Sequence, residues 1–138
     1  MNWTRIRSNC FSPENSHMEN DFNKLPESLL LQGKINAKVP HSIWIDGKPL
    51  YHRRSLQVRN HSPTGFAWGY TGSGPAQLAL GLLLVYWLPR HAEEYYQQFK
   101  EVFIATLPQT DFTVEVELRR ILVEIQEARQ RRTQNQSL

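Results

Sequence analysis

HSPTGFAWGYTGSGPAQLALGLLLVYWL, residues 61–88, runs from a turn through an aromatic alternation and a glycine-rich bend into the most apolar part of the chain. From Pro75 to Leu88 almost no polar face remains, because Leu78, Leu80, Leu82, Leu83, Leu84, Val85, Tyr86, Trp87 and Leu88 point all ways round a helix. A helix apolar on every side is buried or spans a membrane. This one is shorter than the roughly 20 residues a bilayer needs, so it is expected to be a central core helix. Ala79 and Gly81 keep one side thin, and Pro89 ends it.

The bend that opens this helix, Gly72-Ser73-Gly74-Pro75, carries the chemical interest. Pro75 suits the first helical turn, and Ser73 or Gly74 can be the N-cap. The N–H groups of Gly74, Ala76 and Gln77 are then expected to be free, at an end whose partial positive charge favours anions. Three better-defined motifs fail here. Gly69 and Gly74 have P-loop spacing, but Pro75-Ala76 stand where the lysine and hydroxyl belong. Gln77 replaces the third glycine of a dinucleotide fingerprint, and Thr71 and Pro75 replace the outer glycines of a nucleophile elbow. A plain tight turn that packs a helix closely on its neighbour is the competing account.

Working outward, Phe66, Trp68 and Tyr70 alternate with Ala67 and Gly69, a period of two that predicts a strand. Aromatics so placed are core or base-stacking surface. Upstream, strands are expected at Lys34–Val39, Ser42–Ile45, Lys48–His52 and Ser55–Arg59, with Asp46-Gly47 as a hairpin turn. This section is basic: Lys34, Lys38, Lys48, Arg53, Arg54 and Arg59 accompany one acid, Asp46. Such residues are a solvated face or a phosphate-contacting one. Downstream, Tyr95, Phe99, Val102, Phe103 and Leu107 predict a second helix to Thr106, and Leu118, Ile121, Leu122 and Ile125 predict a third, capped by Thr113.

Strands followed by helices predict an α+β fold: a small antiparallel sheet of three to four strands, then three helices, the first central and buried. Residues 34–131 are expected to form the single domain, residues 1–33 a largely disordered segment lacking any sustained period, and residues 132–138 a frayed tail. The 138 residues carry a net charge of +3, which permits an acidic partner without requiring one. One cysteine, Cys10, excludes an internal disulfide framework and any zinc site that draws two cysteines from this chain. With no apolar leader segment, the expected location is the cytoplasm, and no membrane association is expected.

The block HSPTGFAWGYTGSGPAQLAL, His61–Leu80, resembles that of an uncharacterised family of small bacterial, phage and plasmid-borne domains. The resemblance extends from about Ile43 through Asp46-Gly47, Phe99-Lys100 and Leu107-Pro108 to the last helix, and leaves the N-terminal third uncovered. Gly81, where the family has alanine, and Val85-Tyr86, where it has a more polar helix end, are departures. The family implies a domain of unknown function and no activity.

The function expected from these residues is non-catalytic binding of a phosphate-bearing ligand, a nucleotide or a nucleic-acid backbone, at the helix start. Arg59, His61, Gly72, Ser73, Gly74, Ala76 and Gln77 are the ligand-binding candidates. One alternative is a phage or plasmid interaction protein that acts through a protein–protein surface. Another is a hydrolase using Ser73 or Ser62 as nucleophile and His61 as base, which lacks a nearby carboxylate in sequence to orient the histidine. No cofactor is expected. No metal site is expected either, since His41, His52, His61 and His91 lack ligand spacing.

Overall fold

The computed structural model describes residues 21–35 and 42–137. The expectations for Cys10, His41 and the rest of residues 1–20 and 36–41 lie outside the described residues. In chain order the elements are β1 (Leu29–Gly33), β2 (Ile43–Ile45), β3 (Lys48–Pro49), α1 (Arg53–Val58), α2 (Ser73–Tyr86), α3 (Pro89–Val102), a 3-10 turn (Ile104–Thr106), β4 (Phe112–Val116) and α4 (Leu118–Ser137). The fold is α+β. Its antiparallel sheet has the order β3-β2-β1-β4, and α2 is the buried centre.

The core follows from one side of each element. Leu29 and Leu31 of β1, Ile43 and Ile45 of β2, and Phe112 and Val116 of β4 are buried, while Leu30, Thr113 and Glu115 face outward. These inner residues share one core cluster with α2, whose residues are buried without a break from Gly74 to Leu84. Tyr95, Tyr96 and Phe99 of α3 and Leu118, Leu122 and Ile125 of α4 complete this cluster. The Asp46-Gly47 turn forms as expected, with both residues in the left-handed region (φ 51° and 81°). Asp46 Oδ1 also accepts the Leu30 N–H at 2.9 Å, tying the hairpin to β1.

Four local expectations are corrected. Ser55–Arg59 is not a strand; Arg53–Val58 is a helix, in which Ser55 is buried and its hydroxyl donates to the His52 carbonyl at 2.9 Å. A short alternation of Leu56 and Val58 is overridden by packing of the Ser55 side on α2. Phe66–Tyr70 is not a strand either. Gly69 has φ +85°, its N–H donates to the Ile104 carbonyl, and a Cβ there would lie 2.6 Å from Gln109 Cγ. The segment therefore follows the 3-10 turn rather than the sheet, and its aromatics diverge: Trp68 is buried, Phe66 half-buried and Tyr70 47% exposed. Thr113 is no helix cap; Phe112–Val116 is a strand that reaches back to β1, and the last helix starts at Leu118.

The fourth correction moves the domain's edge. Residues 21–33 belong to the fold, since Phe22, Leu25, Leu29 and Leu31 are buried and β1 lies between β2 and β4. Phe22 meets Trp87 and Tyr95 edge-on at 5.3 and 5.8 Å. Arg119 clamps this segment from α4, donating to the Leu25 carbonyl through Nε and Nη2 at 3.0 and 2.8 Å. At the other end α4 continues to Ser137, through the region expected to fray.

Candidate functional site

At the start of α2 the N-cap is Gly72, not Ser73 or Gly74, and no side chain caps it. Ser73 is the first helical residue. The Ala76 N–H already bonds the Gly72 carbonyl at 3.0 Å, so the helical ladder begins there. Pro75 has no N–H to offer. Of the donors expected to be free, only Gly74 remains, joined by Ser73; Ala76 and Gln77 lie within the ladder. Gly74 is itself covered, for a Cβ at that position would sit 2.6 Å from Ala67 Cβ and 3.3 Å from the Tyr70 hydroxyl. Ser73 is exposed and Gly72 half-buried.

Gln77 is wholly buried and its side chain is fully used. Nε2 donates to Ser55 Oγ (2.8 Å) and to the Arg59 carbonyl (3.1 Å). Oε1 accepts from the backbone N–H groups of His61 (2.7 Å) and Ser62 (3.0 Å). One amide thus holds α1 and the 59–62 turn against α2. It lies on one stripe with Gly74 and Gly81, at helical spacing. A Cβ at Gly81 would lie 3.1 Å from Phe66 and 3.6 Å from Ser55 Oγ. The stripe Gly74–Gln77–Gly81 is therefore where residues 55–67 pack, with backbone-close contact at the two glycines and hydrogen bonds between them.

Arg59 and His61, brought to α2 by Gln77, turn their side chains toward α3. Arg59 donates to Glu93 Oε2 through Nε (3.2 Å) and Nη2 (2.8 Å). That carboxylate, by hydrogen bond and charge, raises the guanidinium's pKa further. His61 Nε2 lies 2.6 Å from the Tyr96 hydroxyl, which also accepts from Gln97 Nε2 at 3.2 Å. Burial, then the charges of Arg59 and Lys100, lower the His61 pKa. This favours the neutral imidazole, and the ring tautomer sets the direction of its hydrogen bond with Tyr96. No hydrogen bond joins His61 to the Ser73 or Ser62 hydroxyl among the described residues.

Beside the helix start lies a groove of about 580 Å³. Phe66, Ala67, Trp68 and Tyr70 form one wall, Lys34, Ile35 and Ser42 the other, and Gln109 closes one side. Trp68 is fixed there by its Nε1–H, which donates to the Thr110 carbonyl at 3.0 Å. Gln109 Nε2 donates to the Gly69 carbonyl at 2.9 Å. Lys34 lies 6.0 Å from the Trp44 ring centroid, a cation–π contact that places its charge at the groove's edge. The groove joins residues that the sequence reading did not assemble. Tyr70 was visible as one of three alternating aromatics, but Gln109 reaches Gly69 only because the 3-10 turn folds it back.

Among the described residues no three His, Cys, Asp or Glu side chains gather as a metal site would need. Among them, too, no helix is long and apolar enough to cross a membrane. Neither the curated proteins nor the solved structures yield a match to the chain. A family model matches residues 32–126, from within β1 to within α4, and so starts before the Ile43 implied by the resemblance. That span contains the bend, Gln77 with its partners and every residue that lines the groove, and on it the chain belongs to the family of unknown function DUF6166.

Proposed function

We propose that this protein is a non-catalytic binding module, and that its ligand is a small phosphate-bearing aromatic molecule of the nucleotide class. The observation that supports this is the groove beside the start of α2: about 580 Å³, mostly apolar, with few polar groups on its walls. Ligand sites have that size and composition. Tyr70, 47% exposed, offers a face for a planar ring. Lys34 supplies positive charge at the edge, and Ser73, an exposed residue, opens the positive end of a 14-residue helix beside Tyr70. In this reading Gly74 and Gln77 shape the site without touching ligand, and Arg59 and His61 support it through α3.

Titration of ATP, inorganic phosphate and a short single-stranded oligonucleotide into the purified protein tests this. ATP should bind, and Tyr70→Ala should cost about 1–3 kcal/mol of affinity, the usual worth of a base–aromatic stack. Lys34→Gln should weaken binding and flatten its salt dependence. Ser73→Ala should bind as the wild type does, because its donor is a backbone group. Absence of binding at millimolar ATP, or a Tyr70→Ala variant that binds normally, removes the proposal.

A further inference from the structure

Apart from the groove, with which it shares no lining residue, a second concave surface lies along α3 and α4. Near its middle α4 is fastened to α3 by Arg129, whose guanidinium lies 4.2 Å from the Tyr95 ring centroid and bonds Gln98 and the Glu94 carboxylate. Toward the C-terminal end of α3 the seam opens into two cavities of about 330 and 350 Å³, which share Ile121 and Glu124. One runs between the two helices and the other reaches the edge of β4. The lining is mixed, polar beside β4 and with an apolar stripe between the helices. Ile121, Ile125 and Ala128 fall at helical spacing on α4, and Val102, at the end of α3, is 53% exposed. A branched aliphatic side chain left half in water beside an apolar stripe lacks the cover that core residues have.

The rim is acidic. Glu101, Glu115, Glu117 and Glu124 line the two cavities, against Arg120 and Arg132. Arg120 is committed to its neighbours, pairing with Glu117 at 2.9 Å and Glu124 at 3.2 Å. Glu101 and Glu115 have no ion-pair partner among the described residues. This acidic rim stands out on a chain whose net charge is +3.

We infer that this seam is a docking site for a basic amphipathic helix of a partner protein. A helix laid between two others presents apolar anchors every three or four residues to the stripe, and its flanking lysines or arginines reach the rim. Here Val102, Ile121 and Ala128 take the anchors above buried Ile125, while Glu101 and Glu115 supply carboxylates that have no ion-pair partner among the described residues. The rim sets orientation and speeds encounter, and the stripe holds the complex. The surface is separate from the groove beside α2 and does not depend on a ligand there.

The test uses a fluorescent synthetic helix with leucines at helical spacing and lysines on the other face. Two comparison peptides have the same composition in scrambled order, or glutamate in place of lysine. Anisotropy titrations with the full chain should show binding of the first peptide alone. Val102→Ser should weaken it about tenfold, as should Glu101→Gln combined with Glu115→Gln, the latter with a flatter salt slope. All three substitutions are at exposed positions, and melting temperatures should match that of the wild type. ATP titration should be unchanged in these variants, and peptide binding unchanged in Tyr70→Ala. Equal binding of the scrambled peptide, or an undiminished Val102→Ser variant, would reduce the seam to a charged surface. No binding of the patterned peptide would overturn the inference outright.

Discussion

The two halves of α2 are both buried between Gly74 and Leu84, yet they are held by different physics. At the C-terminal end Leu82, Leu83 and Leu84 are sealed in the core, and Trp87 packs with Tyr95 at 5.6 Å and with Phe22 edge-on. That cohesion is non-directional and scales with apolar area and fit. At the N-terminal end one amide, Gln77, makes four hydrogen bonds between two glycines pressed against their neighbours. Those bonds demand a particular group in a particular place. The apolar end therefore stabilises the fold, while the polar end fixes the path of residues 55–67, which in turn wall the groove.

The largest effect is expected where burial alone acts. Leu83 is 0% exposed, and Leu83→Ala should destabilise the protein by about 2–5 kcal/mol, through lost transfer free energy and the cavity left behind. Chemical denaturation measures it. A loss typical of surface sites, below about 0.5 kcal/mol, would mean that the C-terminal end is not core.

The same replacement at both ends sharpens the contrast. Methionine roughly conserves the volume of leucine and of glutamine. Gln77→Met should cost about 1–3 kcal/mol, because it strands the His61 and Ser62 N–H groups and the Arg59 carbonyl. Leu83→Met should cost less than about 1.5 kcal/mol. Hydrogen exchange adds a local readout: the His61 and Ser62 amides should lose protection in Gln77→Met and keep it in Leu83→Met. If the order of the two costs were reversed, Gln77 would be a spectator of the packing and not its clamp.

The difference between the ends also decides what could be read from the sequence. The leucine run announced a buried helix because it has no polar face, and Asp46-Gly47 announced its turn because both residues tolerate positive φ. These signals are local. The strand β1 is not local: Leu29 and Leu31 give a single alternation, and its partners come from β2 and, at the far end of the chain, β4. Ser55–Arg59 and Phe66–Tyr70 carried a period of two that packing overrode, in the first case through Ser55 on Gln77 and in the second through Gly69 at φ +85°. The bend Gly72–Gln77 was recognised as special, and Arg59, His61 and Gln77 do meet. Their joint role was hidden because Gln77 bonds the backbone of residues 59–62, which carries no side-chain signature.

The smallest effect expected concerns His61, on the turn that Gln77 holds. Its pKa is lowered in the fold from the ordinary imidazole value of 6.5, first by burial, then by Arg59 and Lys100. The unfolded chain therefore takes up the proton before the folded one does. Stability from this group is fully present above 6.5 and is lost as pH falls toward the lower folded value. Protonation would leave the Tyr96 contact in place, with Nε2–H then donating to the hydroxyl oxygen. His61→Gln cannot titrate and keeps an oxygen within reach of the Tyr96 hydroxyl. Denaturation midpoints at about pH 7.5 and about pH 5.5 should fall further for the wild type than for His61→Gln. Groups common to both proteins cancel in the difference. Parallel profiles would show that the turn opens freely enough to hydrate the imidazole, and that the hold of Gln77 stops at the backbone.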